Sequence, residues 1–124
     1  MSAKVVDSSI IAAWCFGETR AAEATALLKD FEWYAPILLA YELTSIARRK
    51  SIAYPKQTEA LREALQTVFA IPIHWSEVDH LAVLRLALNT ELTTYDASYL
   101  YLARKLSIPL ATFDQKLARA TLIR

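Results

Sequence analysis

Short apolar runs alternate with longer amphipathic runs along the whole chain. The runs "AKVV" (Ala3–Val6) and Ile108–Phe113 are apolar and bounded by polar residues, which is typical of buried strands. "WYA" before Pro36 predicts a further short strand. "IPIHW" (Ile71–Trp75) predicts another, which its proline restricts to a sheet edge or a strand start.

Apolar residues at helical spacing predict the elements between these strands. We expect helices over Ser8–Phe16, Arg20–Phe31, Pro36 to about Lys50, Gln57–Phe69, Glu77–Leu88 with Ser76 as its cap, Tyr95–Leu106 and Gln115–Ala120. In the Glu77–Leu88 helix, the apolar positions in register are Val78, Leu81, Leu84 and Leu88. Strands that alternate with helices indicate an α/β layered domain around a parallel sheet, with helices dominating by residue count.

Length and composition exclude several classes of protein. The 124 residues favour one domain, and 55% hydrophobic with 22% charged residues is a globular composition. No apolar stretch approaches the roughly 20 residues that span a bilayer, and "MSAKVVDSS" does not resemble a signal peptide. Cys15 is the only cysteine. It fits a reducing, cytoplasmic interior, and we expect a small buried hydrophobe there rather than a nucleophile.

The formal net charge of +1 lacks the bulk basicity of strong nucleic-acid binders. A bound polyanion would therefore need local basic patches or bound cations. Gly17 is the only glycine, which excludes a glycine-rich phosphate loop.

Two acidic residues follow predicted strands. Asp7 ends the first strand and Asp114 follows the last. Each also precedes a predicted helix, so each taken alone is more typical of a helix N-cap, which stabilises a helix by about 1 kcal/mol. The carboxyl ends of parallel strands nevertheless form the usual binding crevice of such a sheet.

Two further acids lie among apolar residues. Glu42 emerges from a largely apolar helix face, where a cap cannot explain it and unpaired burial is costly. A salt bridge to Arg48, Arg49 or Lys50 is the alternative. Asp96 lies in the first turn of a helix, where the helix dipole offers another explanation and Thr93 or Thr94 can act as the cap.

The other nine of the 13 acidic residues are explained by solvated helix surfaces or segment ends. Four carboxylates in one crevice repel one another and become stable together around a cation. Oxygen-only ligands indicate a hard ion, Mg²⁺ or Mn²⁺.

Three blocks in this order resemble the PIN-domain ribonucleases, and among them the short toxins of VapBC toxin–antitoxin pairs. They are "VVDSS", "PILLAYELTSIARR" and "LTTYDASYLYLARKLSIPLATFDQKL". The resemblance implies a single PIN-like domain over residues 1–124, built as a three-layer α/β/α sandwich, whose closing strand is either "TLIR" or missing. It implies a metal-dependent endoribonuclease whose acidic pocket is Asp7, Glu42, Asp96 and Asp114. Hydroxyls at Ser8 and Thr112 would steady the acids or the water shell of the metal.

The mechanism expected from these residues places Mg²⁺ or Mn²⁺ chiefly on Asp7 and Asp96. Asp114 and Glu42 would act directly or through waters, and one of them could accept the proton of the attacking water. The resemblance implies products with a 5′-phosphate and a 3′-hydroxyl. Backbone phosphates would contact a set of basic residues that could equally be ordinary helix-end charges: Arg48, Arg49, Lys50, Arg104 and Lys105.

Apolar surface on Ala21–Leu28 and Leu38–Ile46, together with the resemblance, predicts a homodimer and an antitoxin groove rather than a membrane partner. The antitoxin would insert an Arg or Lys near the acids. Two other functions stay open. A dehalogenase-type phosphohydrolase would need D-x-D-x-T after the first strand, which "DSSII" lacks. The second open function is a PIN-like domain that binds RNA or a protein partner without cutting RNA.

Overall fold

The structure, a computed structural model, describes residues 2–123. The strands are β1 (Ser2–Val6), β2 (Phe31–Pro36), β3 (His74–Ser76) and β4 (Leu110–Ala111). The helices are α1 (Ser8–Cys15), α2 (Ala21–Leu28), α3 (Leu38–Ala53), α4 (Thr58–Phe69), α5 (His80–Thr90), α6 (Thr94–Leu106) and α7 (Gln115–Ala120). A 3₁₀ turn at Pro55–Gln57 joins α3 to α4.

The four strands form one parallel sheet in the order β3-β2-β1-β4. From β1 the chain builds outward through β2 to β3, and then returns to add β4 on the opposite side of β1. Val5 and Val6 of β1 align with Leu110 and Ala111 of β4. The direction of strand addition therefore reverses between β1 and β4, where open α/β sheets bind their ligands.

The helices form two groups. Helices α1 to α4 contact one another, whereas α6 packs on β1, β2 and β4 and also contacts α5 and α7. The buried β-branched residues Val5 and Val6 lie in the core at the centre of the sheet, because β1 has neighbours on both edges. This arrangement is the helix-rich three-layer α/β/α sandwich that was expected.

The start, the cap and the buried face of helix α5 differ from those predicted. Ser76 does not cap it but ends β3, and the helix begins three residues later than predicted, at His80. The cap is Asp79, whose side chain accepts hydrogen bonds from backbone N–H groups of the first turn. Because this helix has apolar residues on more than one face, periodicity alone did not choose the buried one. Val83 and Ala87 face the core, whereas three leucines are exposed by 49–79%: Leu81, Leu84 and Leu88.

Other boundaries also moved. The predicted Arg20–Phe31 helix ends at Leu28, because Asp30 has a φ of 64° and redirects the chain into β2. Pro36 ends β2 instead of opening α3, which extends to Ala53. The predicted Ile108–Phe113 strand narrows to Leu110–Ala111, because β4 lies at a sheet edge and pairs only with β1.

Within the described residues, helix α7 is followed by a turn and not by a strand. Thr121 and Leu122 form a turn, so "TLI" adds no fifth strand within residues 2–123, and Arg124 lies outside the described residues. Over the same range, none of the helices combines the length and apolar character needed to cross a membrane.

Candidate functional site

Asp7 and Asp114 lie at the carboxyl ends of the neighbouring strands β1 and β4, on either side of the point where strand order reverses. Each also caps the helix that follows. The Asp7 carboxylate accepts a 3.2 Å hydrogen bond from the N–H of Ile10, and that of Asp114 a 2.8 Å bond from the N–H of Leu117. The two interpretations of these acids are therefore compatible, because a helix N-cap after a strand lies at the ligand-binding edge.

Asp7 is the most buried of the acids, with 3% of its surface exposed. Burial raises the pKa of its carboxyl from 3.8 to about 6, because the ionised form loses its hydration. Hydrogen bonds from the Thr112 hydroxyl, the Ser9 hydroxyl and the Ile10 N–H lower this pKa, and the charge of Asp96 raises it. The fold thus holds Asp7 in a position where a negative charge is unfavourable.

The hydroxyls of Ser9 and Thr112 link the Asp7 carboxylate by hydrogen bonds to the backbone that follows β4. Ser9 donates to Asp7 Oδ1 at 2.7 Å and accepts from the N–H of Phe113 at 2.9 Å. Thr112 donates to Asp7 Oδ2 and accepts from the N–H of Asp114 at 3.0 Å. Thr112 therefore contacts an acid, and Ser9, which the sequence interpretation did not select, contacts the same one. Ser8, which it did select, hydrogen-bonds Tyr99, the partner of Glu42. The motif "DSS" signals a hydroxyl but does not indicate which serine turns back toward the aspartate.

Glu42 is half-buried on α3 and is held by an uncharged partner. The hydroxyl of Tyr99, on α6, donates to Glu42 Oε1 at 2.5 Å. No ion pair joins Glu42 to Arg48, Arg49 or Lys50 among the described residues, so the salt-bridge alternative is wrong; Lys50 pairs with Glu18 at 2.7 Å instead.

Tyr99 has 1% of its surface exposed, and the sequence did not single it out within its predicted helix. Burial, and after it the charge of Glu42, raises the pKa of its phenol well above the usual value. Tyr99 is therefore a permanent hydrogen-bond donor to Glu42. The sequence offered little signal for this contact, since the two residues are 57 positions apart.

Asp96 is half-buried in the first turn of α6, and Thr93 caps that helix by accepting from its N–H at 3.1 Å. Burial raises the pKa of Asp96, the charges of Asp114 and Glu42 raise it further, and Lys116 lowers it. The charge of Asp96 in turn raises the pKa of Asp7. The structure therefore brings the four predicted acids into one electrostatic field.

The oxygen atoms of the four acids are ligands of the kind that a hard cation such as Mg²⁺ or Mn²⁺ prefers. Within residues 2–123, no group of three or more His, Cys, Asp or Glu side chains is already gathered around one point. Mg²⁺ is usually held by one or two carboxylates and keeps several waters, so it does not require such a group. Neighbouring negative charges help to raise the pKa of Asp7 and of Asp96, which fits a site whose repulsion a cation would offset. The residues present fit Mg²⁺ or Mn²⁺ held partly through water.

Basic residues border one side of the acids. A depression of about 420 Å³ contains Glu42, Ser8 and Arg49. A neighbouring open groove of about 890 Å³ contains Arg49 and Lys50, together with Arg20, which the sequence interpretation had not selected. The two cavities are continuous, because Arg49 lines both.

The remaining predicted cations are less close to the acids. Arg48 is exposed and lines neither cavity. Arg104 donates to the carbonyls of Ala120 and Ile123, at the end of the chain. At 1.5 Å per residue, Arg104 and Lys105 lie about 12 Å or more along α6 from Asp96.

Comparisons with known proteins identify the family and the fold of this chain. The family model of the PIN domain matches residues 4–122. Ribonuclease VapC3 from Pyrobaculum aerophilum is 35% identical over 122 residues, covering 92% of this chain and 91% of that protein. The crystal structure of PAE2754 from Pyrobaculum aerophilum aligns with a TM-score of 0.77 over 97% of this chain and 80% of its own. At 23% identity that structure supports the fold alone. The chain therefore belongs to the PIN domain family.

Proposed function

We propose that this protein is a metal-dependent endoribonuclease that hydrolyses RNA phosphodiester bonds, acting through a single domain. The observation that carries the proposal is the placement of Asp7 and Asp114 at the strand-order reversal of a PIN-family sheet, beside Asp96 and Glu42. The charge of Asp96 raises the pKa of Asp7, and the charges of Asp114 and Glu42 raise that of Asp96. A relative named as a ribonuclease over nearly the whole chain supports RNA as the substrate. That same relative supports the toxin of a type II toxin–antitoxin pair as the biological role.

Asp7 and Asp96 would hold Mg²⁺ or Mn²⁺, with Asp114 and Glu42 contributing directly or through water. A divalent ion in such a site acidifies water and neutralises charge that develops on a phosphoryl group. Asp7 suits this position, because its burial makes a compensating positive charge favourable.

The chain's own side chains position the acids. Ser9 and Thr112 orient the Asp7 carboxylate through both of its oxygens. The Tyr99 hydroxyl donates a hydrogen bond to Glu42 Oε1, so Oε2 is the oxygen left to accept a proton from an attacking water. Asp114 is the alternative acceptor, since its carboxylate is exposed and only Oδ1 serves the helix cap.

Phosphate binding falls to the basic side of the site. Arg49 lines the depression that contains Glu42, and Arg20 and Lys50 line the adjoining groove. Glu18 and Glu23 neutralise Lys50 and Arg20, whereas no ion pair engages Arg49 in residues 2–123. Arg49 is therefore the cation best suited to a backbone phosphate.

The proposed partners are an antitoxin and a second copy of the chain. An antitoxin would silence the site with an Arg or Lys placed among the acids. The apolar residues of α2 and α3 that suggested a homodimer are largely used within the core, as with Ala24 and Leu43. The exposed leucines of α5 are the surplus apolar surface that supports dimerisation instead.

The cytoplasm is the proposed compartment. Cys15 is the only cysteine, and burial raises the pKa of its thiol to about 12. It therefore stays protonated and unreactive at neutral pH, as a small hydrophobe would.

The test is cleavage of 5′-labelled RNA with Mg²⁺ or Mn²⁺, and with EDTA as the metal-free control. We expect metal-dependent products bearing a 5′-phosphate and a 3′-hydroxyl, and loss of those products in Asp96→Asn. Asp30→Asn, which removes an equal charge at an exposed position, serves as the matched control. A 2′,3′-cyclic phosphate product would contradict the mechanism. RNA binding without any metal-dependent product would instead favour a catalytically silent PIN-like binding domain.

A further inference from the structure

A third cavity, of about 860 Å³, opens beside the acids. We call it the aromatic cleft, and its walls include Ile37, Leu38, Trp75, Val78, Val83 and Tyr95. We propose that the aromatic cleft binds one nucleobase of the RNA next to the cleaved bond and so sets the base preference of cleavage. This inference rests on the proposed function and names the part of the substrate that the site recognises.

The aromatic cleft is continuous with the acidic site. It lies over the carboxyl ends of β2 and β3, as Pro36 and Ser76 line it, whereas the acids follow β1 and β4. Leu38 and Tyr95 line both the aromatic cleft and the depression that contains Glu42. A nucleotide held at the acids therefore has its neighbour within reach of the cleft.

The lining of the aromatic cleft suits an uncharged aromatic ring. Its volume falls in the range of about 300–1,000 Å³ that is usual for small-ligand sites, and its walls are mainly apolar. Trp75 and Tyr95 are large aromatic side chains that remain 39% and 61% exposed. Exposed aromatic rings beside a nucleic-acid path are the usual platforms on which unpaired bases stack.

Charge decides between a base and a phosphate. Among the residues described as lining the aromatic cleft, none is Lys or Arg, and Glu77 contributes a carboxylate. A phosphate would be repelled there, while the amino groups of a base could donate to Glu77 and its ring atoms could bond His80. Arg20, Arg49 and Lys50 lie in the groove on the other side of the acids. The backbone therefore follows the basic groove, and a base enters the aromatic cleft.

A second copy of the chain or an antitoxin peptide in the aromatic cleft can be distinguished experimentally from a nucleobase. The exposed leucines Leu81, Leu84 and Leu88 do not line the aromatic cleft, so a second copy that covers them need not place a side chain in the cleft. A peptide segment of an antitoxin would use the apolar walls but would not require a planar ring. Loss of base selectivity on removing one aromatic ring is thus specific to the proposal.

The first experiment cleaves a random-sequence RNA pool and sequences the product ends. Tyr95→Ala is compared with Tyr54→Ala, because the two tyrosines are 61% and 60% exposed and Tyr54 lies outside the cleft. We expect Tyr95→Ala to flatten the base preference at one position beside the cut and to lower kcat/KM about tenfold, the effect of losing one base stack. Tyr54→Ala should match the unsubstituted protein, and Trp75→Leu should repeat the Tyr95→Ala result. Unchanged cleavage profiles in both cleft variants would overturn the proposal and leave the ribonuclease activity standing.

The second experiment does not depend on cleavage. The four nucleosides, which carry a base without a phosphate, are titrated into the metal-free protein while the indole N–H signals are followed by NMR. We expect the signal of Trp75 to shift in a saturable way and those of Trp14 and Trp33, which lie outside the aromatic cleft, to stay in place. Absence of any Trp75 shift with all four nucleosides would overturn the subsite. If the protein cuts no RNA with either metal, the proposed function fails, and this titration still decides whether the cleft binds a base.

Discussion

Asp7→Asn should stabilise the metal-free protein while removing its activity. The Asp7 carboxyl is 3% exposed, and burial raises its pKa from 3.8 to about 6. Since one pKa unit is worth about 1.4 kcal/mol, keeping this carboxylate ionised in the fold costs about 3 kcal/mol. Asparagine has nearly the same shape and carries no charge at any pH, so it avoids that cost.

The sign of the pH dependence follows from the raised pKa. The folded protein binds the Asp7 proton more tightly than the unfolded chain does, so the contribution of Asp7 to stability is greatest below about pH 4. That contribution is lost as the pH rises through about 6, and above pH 7 the full cost of the buried charge remains. The gain from Asp7→Asn should therefore be small at pH 4 and about 3 kcal/mol larger at pH 8.

The hydrogen bonds of Asp7 are already contained in its raised pKa. The oxygen that accepts from the Ser9 hydroxyl and the Ile10 N–H has a counterpart in asparagine. The other oxygen, which accepts from Thr112, becomes a donor both in asparagine and in the protonated carboxyl, so the Thr112 hydroxyl turns in either case. The gain at pH 8 therefore stays at about 3 kcal/mol.

The assay is urea denaturation in EDTA at several pH values between 4 and 8, with Asp30→Asn as the control. Asp30 is exposed and has a φ of 64°, a conformation that asparagine adopts readily, so its substitution removes one carboxylate without relieving a buried charge. Adding Mg²⁺ should stabilise the unsubstituted protein and leave Asp7→Asn nearly unchanged. The reasoning is refuted if Asp7→Asn is the less stable protein at pH 8, or if its advantage is the same at pH 4.

Three further substitutions test the surroundings of the acids. Tyr99→Phe should weaken Mn²⁺ binding about tenfold by calorimetry, because Glu42 loses the donor that orients it; unchanged affinity would contradict a positioning role. Ser9→Ala should lower the unfolding free energy by about 1 kcal/mol and raise the pKa of the aspartate it contacts, followed by NMR titration of that carboxyl. Arg49→Ala should weaken RNA binding and reduce the slope of log affinity against log salt by about 1, whereas Lys105→Ala should leave the slope unaltered. Equal slopes for the two variants would remove Arg49 from the RNA path.

The amino-acid sequence is sufficient to select the acids of the candidate site. Asp7 and Asp114 follow apolar runs that form neighbouring parallel strands, and local periodicity is enough to locate a strand end. Glu42 and Asp96 stand out because the residues around them are apolar. An ionisable group among apolar neighbours signals a site even when its partner is unknown.

The partners of these acids depend on tertiary packing. Tyr99 reaches Glu42 from another helix, and Ser9 rather than Ser8 turns toward Asp7. Such contacts depend on how helices and strands pack, and no local spacing encodes the distance between residues on separate elements.

The sequence alone determined the α/β class and the family and selected four acids as the candidate site, because each of these depends on residue type and order along the chain. Tertiary structure decided which face of α5 is buried, which hydroxyls hold Asp7, and that an aromatic cleft adjoins the acids. Cavities and hydrogen bonds between elements arise from the angles and depths at which those elements pack. A helix with leucines on two faces, or a tyrosine in an apolar stripe, is consistent with several packings until one is observed.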